Sequence, residues 1–141
     1  MELVIYGEPI PQGRPRFTKT GHTYDPQRSR NYKQLVRFWV TQHLKKIPGW
    51  KPHENALCVD LIFLLGIPIS WSKEKRTQAI NGEIRPIVRN GDIDNLVKSI
   101  LDSCNGLLWV DDCIITDLSA KKRYTGDLAR VVIKITEVKE C

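Results

Sequence analysis

The chain has 141 residues, of which 41% are hydrophobic and 27% charged, and a formal net charge of +6. That is one ordinary domain, residues 1–141, with enough apolar content to bury a core, so neither a second domain nor a disordered chain is expected. No apolar run reaches the roughly 18 residues that span a bilayer, and the start, MELVIYGEPIPQ, lacks the basic segment of a signal peptide; a cytoplasmic protein follows. The cysteines (Cys58, Cys104, Cys113, Cys141) form no C-x-x-C pair, which predicts free thiols and not a metal or disulfide framework.

In chain order, ELVIYG (2–7) is short and β-branched and reads as a first strand ending at Gly7. PIPQGRPRFTKTGHTYDP follows, too rich in Pro and Gly for regular structure. Its length and its basic and aromatic residues mark a working segment. From Ser29 to Lys46 the period becomes helical, with Tyr32, Leu35, Val36, Trp39, His43 and Leu44 on one stripe, His43 being read as a core-edge residue. IPGWKP ends that helix. ALCVDLIFLLG (56–66) alternates Leu57, Val59, Leu61, Phe63 and Leu65 on one side, a long central strand with Asp60 on its second face as a solvent-facing or locally paired carboxylate.

SWSKEKRTQAIN (70–81) opens with capping residues and reads as a short charged helix, and GEIRPIVRNG as a loop. Asp92–Asn105 is the clearest helix: Ile93, Leu96, Val97, Ile100 and Leu101 recur at helical spacing and Asn105-Gly106 stops it. Two strands close the chain, 113–123 and 129–137, with YTGD as a hairpin turn between them. The order β-α-β-α-α-β-β predicts a single α+β domain with a mixed or antiparallel sheet.

Charge is unevenly spread. Residues 12–51 carry ten Lys or Arg against Asp25 alone, the footprint of a phosphate-backbone binder or a solvated helix face. By contrast, Asp92, Asp94, Asp102, Asp111 and Asp112 crowd into RNGDIDNLVKSILDSCNGLLWVDD (89–112). With the apolar stripe facing the core, Asp94, Lys98 and Asp102 form the opposite stripe, and Asp92 and Asp94 converge on the helix start. A helix returning directly to a strand would bring Asp112 alongside. Taken singly, Asp92 is a cap, Asp94 and Lys98 an ion pair one turn apart, and Asp111-Asp112 a turn. Taken together, carboxylates in one site repel unless a cation holds them, and oxygen ligands without His or Cys suit Mg²⁺ or Mn²⁺. A basic surface would then gather a polyanion for the metal to act on.

Asp92-Ile93-Asp94-Asn95-Leu96-Val97-Lys98 followed by Trp109-Val110-Asp111-Asp112 resembles the RusA-type Holliday junction resolvases. Lys121-Lys122-Arg123-Tyr124 and the early Gly13-Arg14-Pro15-Arg16-Phe17 loop are similar to the same family, so the resemblance spans most of the chain. It implies metal ligands at Asp92, Asp94 and Asp112, a basic helper at Lys98, branched DNA as substrate and a homodimer. It also departs from the family at Gly91, where proline is frequent, which is expected to loosen the helix entry. On that reading the chain is an Mg²⁺-dependent junction endodeoxyribonuclease. Arg14, Arg16, Lys19, Arg89, Lys121, Lys122 and Arg123 would track the DNA backbone, with Phe17 and Tyr24 stacking on bases or packing in the core. Two alternatives stay open on the residues alone: a basic DNA-binding module without catalysis, and a metal-dependent hydrolase of small nucleotides.

Overall fold

Every second residue from Leu57 to Leu65 is buried, as a strand with one covered face requires. In a computed structural model that describes residues 1–13, 16–24 and 26–138, and of Arg16 the backbone alone, this segment is β4 of a small mixed sheet. The elements are β1 (Glu2–Tyr6), β2 (Arg16–Phe17), β3 (Thr23–Tyr24), α1 (Gln27–Leu44), β4 (Leu57–Gly66), α2 (Lys73–Ile80), α3 (Ile93–Cys104), β5 (Ile115–Thr125) and β6 (Arg130–Glu137). The main sheet runs β1-β6-β4-β5, with β4 antiparallel to β6 and parallel to β5. The class is the expected α+β.

One face of the sheet carries Leu3, Ile5, Val59, Leu61, Phe63, Val131 and Ile133, all buried. Across it lie α1 and α3, contributing Tyr32, Val36 and Val40 and Leu96, Ile100 and Cys104 to the same core. The helices are tied to each other by polar contacts as well. Arg37 Nη1 donates to the carbonyl of Ser103 at 3.0 Å, and Lys33 pairs with Asp102 at 3.9 Å. Two members of the basic stretch thus serve packing at one end of α3. Burial pushes the Cys104 thiol up to about 12, so it stays protonated.

Trp109 is fully buried and its indole N–H donates to Asn105 Oδ1 at 2.8 Å. With the Trp50 indole donating to the Leu107 carbonyl at 2.8 Å, it fixes the turn by which the chain leaves α3 for β5.

Two expectations fail here. YTGD does not close a hairpin: β5 and β6 lie on opposite sides of β4. Local turn chemistry favours adjacent pairing, but β4, apolar except for Asp60 and the terminal Gly66, gains more by sitting between two strands than at an edge. The Pro/Gly-rich segment contains regular structure after all, the two-stranded β2-β3 ribbon. Gly21 at φ +85 makes its turn, with the Thr18 N–H donating to the His22 carbonyl at 2.8 Å. Boundaries also move: the start of the predicted strand at 113 is a 3-10 turn, Asp112–Ile114. In α1 the buried face includes Val40 in place of Leu35. His43 is half-buried, at the core edge, and Asp60 is locally paired, accepting from the Ser119 hydroxyl.

The Tyr32 hydroxyl is buried with no hydrogen-bond partner, and desolvation raises its pKa. Tyr32→Phe removes that unpaired group while keeping the ring. Chemical denaturation should therefore find the variant at least as stable as the wild type, by up to about 1 kcal/mol.

Candidate active site

The sequence DIDN begins α3 with Asp92 at the N-cap, in extended conformation (φ −77, ψ 144), yet its carboxylate makes no capping hydrogen bond. An N-cap aspartate ordinarily spends its side chain on the free N–H groups of the first turn. Here the oxygens are left to solvent. Asp94, in that first turn, accepts from the Asn95 N–H at 2.9 Å and is exposed. Lys98, one turn on, is exposed and makes no ion pair with Asp94, so the expected pairing along the helix is not formed. Asp102 is the stripe member that is committed, to Lys33.

The entry to α3 is fastened by groups that the sequence did not advertise. Asn90 and Gly91 both adopt the left-handed backbone (φ 59 and 79), a conformation that Asn and Gly tolerate best. The Asn90 amide donates to Glu8 Oε1 at 3.2 Å and to the Pro9 carbonyl, and Arg89 pairs with the same Glu8 oxygen at 3.6 Å. The Gln12 N–H reaches the Asn95 carbonyl at 2.9 Å. The chain after β1 thus buttresses the helix start. Asn90-Gly91 carried a legible signal as a left-handed turn; Glu8 carried none. At Gly91, where a looser entry was expected, the glycine takes φ +79 and the carbonyl of residue 91 faces Lys122.

Lys122 Nζ donates to that carbonyl at 2.9 Å and to the Ile87 carbonyl at 3.1 Å. It therefore braces the loop ahead of Asp92 with two of the three hydrogens of its ammonium. Lys121, its neighbour on the other face of β5, is exposed. The two lysines should separate by experiment. Lys121→Met is expected to lower the salt slope of DNA binding by about 1, the loss of one phosphate contact. Lys122→Met should leave that slope unchanged and instead raise proteolytic nicking within 82–91. Both are read from binding titrations at several salt concentrations and from peptide mapping.

Asp92 and Asp94 line an open depression whose other polar wall is basic, Arg85, Lys121, Lys122 and Arg123, with Pro86, Ile87, Ile93 and Ala120 completing it. Arg123 Nη1 is turned onto the Lys122 carbonyl at 2.8 Å. Arg85, exposed beside the apolar Ile87, was not expected at the site; nothing in GEIRPIVRNG distinguishes it. Two exposed carboxylates ringed by cations make a surface that accepts a phosphodiester backbone while keeping hard oxygen donors free.

Asp112 does not join them. The strand that returns from α3 begins at the carboxyl end of that helix, so its first residues lie a helix length from the helix start. From Ile115, paired with Leu57, to Lys122, paired with Phe63, the chain is extended and spans about 23 Å. Asp112 lies at the near end of that span and Asp92 beside the far end. Asp111 is committed locally: it caps the 3-10 turn, accepting from the Cys113 N–H at 3.2 Å, and hydrogen bonds from Cys113 hold its pKa down. Among the described residues no three His, Cys, Asp or Glu side chains are grouped to hold a metal ion. The donor type of Asp92 and Asp94 suits a hard divalent cation; among the described residues of the single chain the three carboxylates are not grouped.

Of the other expected DNA contacts, Arg14 and the side chain of Arg16 lie outside the described residues. Lys19 is exposed in the β2-β3 turn, and Phe17 is 72% exposed beside Tyr24 at 42%, so neither aromatic is a core residue. No helix among the described residues is long and apolar enough to cross a membrane.

Residues 6–136 match the family model described as endodeoxyribonuclease RusA. The chain is also 34% identical over 143 residues to the "Uncharacterized protein YqaN" of Bacillus subtilis (strain 168), a match covering 98% of this chain and 96% of that protein.

Proposed function

We propose, since the chain belongs to the RusA endodeoxyribonuclease family, that it is a structure-selective nuclease hydrolysing phosphodiesters in branched DNA, four-way junctions foremost. The observation that carries this reading is the helix-capping aspartate that does not cap: Asp92 stands free, with Asp94 exposed beside it and accepting from the Asn95 N–H, in a depression with four basic residues. A carboxylate kept only for stability would be satisfied by the N–H groups beside it. The openness of the depression, walled by cations on a strand and a loop, supports a polymer substrate over a free nucleotide, which needs an enclosing pocket.

Asp92 and Asp94 would hold a divalent cation, Mg²⁺ or Mn²⁺. Such an ion supplies, when bound, positive charge at the scissile phosphate and a water of lowered pKa. The chain's own residues do the rest. Lys98, exposed one turn from Asp94, offers its ammonium to the developing phosphorane charge. Arg85 and Lys121 hold the backbone, with Lys19 from the β2-β3 turn, and Arg14 and Arg16 are added from the sequence. Lys122 and Arg123 hold the site together. A four-way junction has two equivalent strands to cut, and a homodimer with two-fold symmetry matches that substrate.

The test is a synthetic four-way junction against linear duplex of the same arms, with and without Mg²⁺. Paired, symmetric nicks on the junction alone are expected. Binding without Mg²⁺-dependent nicking would favour a DNA-binding module; turnover of nucleotides in preference to junctions would favour the small-substrate hydrolase. Junction binding should weaken steeply with salt as counterions return to the phosphates.

A further inference from the structure

The loop between α2 and α3 presents two aliphatic side chains that no other described residue covers. Ile87 is 85% exposed and Val88 84%, whereas Pro86 just before them is buried. Single exposed aliphatics are ordinary on a protein surface. These two are adjacent, sit on a braced loop and lie between Arg85 and Arg89. We infer that Ile87 and Val88 form an apolar wedge that enters the base stack at the branch point of a DNA junction. The inference rests on the proposed nuclease function and assigns the residues that select branched over linear substrate.

The backbone of the loop is already spent on the protein. Lys122 Nζ donates to the Ile87 carbonyl at 3.1 Å, and the Gly91 N–H to the Val88 carbonyl at 3.2 Å. Beyond them, Arg89 pairs with Glu8 at 3.6 Å and the Asn90 amide donates to the same carboxylate at 3.2 Å. What the tip offers a partner is therefore side chain. Both side chains are β-branched and stiff at χ1, so a partner that receives them orders little that is not ordered beforehand.

Position ties the tip to the chemistry. Ile87 lines the same depression as Asp92 and Asp94. Five steps of chain separate Ile87 from Asp92, a reach of at most roughly 18 Å, or about five nucleotides along one strand. A tip lodged at the branch point thus leaves the cut within a few nucleotides of it.

The surroundings favour nucleic acid over a protein partner. Arg85, Lys121 and Arg123 share the depression with Ile87, and cations grouped this way suit a polyanion. Between phosphate-binding cations, an apolar side chain meets the faces of bases, and Ile is among the residues that wedge between base steps. Opening a step is costly in continuous duplex and least so where pairing is already interrupted. The wedge therefore discriminates by what the DNA must give up: a junction centre admits it and a linear duplex resists.

The experiment places 2-aminopurine, which brightens on unstacking, at the branch point of a synthetic four-way junction bound without divalent ions. Wild type should raise the fluorescence. Ile87→Ser/Val88→Ser should abolish the rise yet bind the junction with an unchanged salt slope, since every cation remains. In Mg²⁺ its nicking of the intact junction should fall by at least about tenfold. Nicking should return to near the wild-type rate on a junction with mismatched pairs at the branch point, where no step needs opening. Ile87→Leu/Val88→Leu keeps the apolar bulk and should keep the rise. A full rise or undiminished nicking with the serine variant would overturn the inference, as would a nicking loss that the mismatched junction does not restore. So would a serine variant that sediments as a monomer where wild type is a dimer, which would assign the tip to a protein interface. Absence of Mg²⁺-dependent junction nicking by wild type would sink the nuclease reading itself, whereas failure of the wedge leaves wild-type nicking intact.

Discussion

Asp92→Asn is expected to lower junction cleavage by at least about a hundredfold, the scale of several kcal/mol of charge stabilisation, and to leave junction binding intact or slightly tighter. The protein should remain as stable as before. Asn and Asp rank together as N-cap residues, and the wild-type carboxylate makes no capping bond to lose. That combination is what separates a functional carboxylate from a structural one. Were Asp92 a cap, the substitution would be silent in both assays or would cost stability and activity together. Removing one negative charge from a basic depression also reduces repulsion toward phosphates, which is why binding should not fall. Single-turnover cleavage, a gel-shift titration without divalent ions and a thermal melt measure the three quantities.

Gly91→Pro is expected to be the most damaging single change near the site, although proline is what the family resemblance would put there. Residue 91 sits at φ +79, whereas proline is locked near −65° and cannot reach the left-handed region. A Cβ at this position would also stand 3.1 Å from Pro11 Cγ, and the Gly91 N–H that donates to the Val88 carbonyl at 3.2 Å would be gone. Strain, contact and lost bond together suggest a cost of about 3 kcal/mol or more, or a rebuilt loop. Either outcome moves the carbonyl that Lys122 holds and with it Asp92. Cleavage should fall by more than the loss of stability accounts for. Gly91→Ala, which can enter the left-handed region at about 1–2 kcal/mol, should fall between. Denaturation midpoints and cleavage rates on one junction order the three proteins. A Gly91→Pro protein with wild-type rate and stability would show that this entry geometry does not govern the site.

Read from the sequence alone, the helices and strands came out with boundary shifts of a few residues, because their signal is periodic and local. The alternation in 57–66 needs one buried sheet face, and the stripe from Ile93 to Leu101 needs a helix on it. The free aspartates at the start of α3 and the basic 121–123 stretch were legible for the same reason, since helix phase and charge are written residue by residue. What the sequence misjudged is pairing at a distance. YTGD reads as a hairpin turn because adjacent strands usually pair, and only the need of β4 for a neighbour on each edge opens that hairpin. Lys122 reads only as a basic surface residue, and its bonds to the loop carbonyls of Ile87 and Gly91 depend on packing the sequence does not show. Asp112 reads as a third member of the site because it is near in sequence; the antiparallel return of β5 along α3 carries it to the other end. Glu8 and Arg85 belong to the site through the same kind of packing, with no local mark at all. Chain composition and periodicity thus determined which groups this protein possesses and which elements carry them. Tertiary structure decided which groups meet, because that depends on strand order and direction, free energies shared over the whole core and not stored in any one segment.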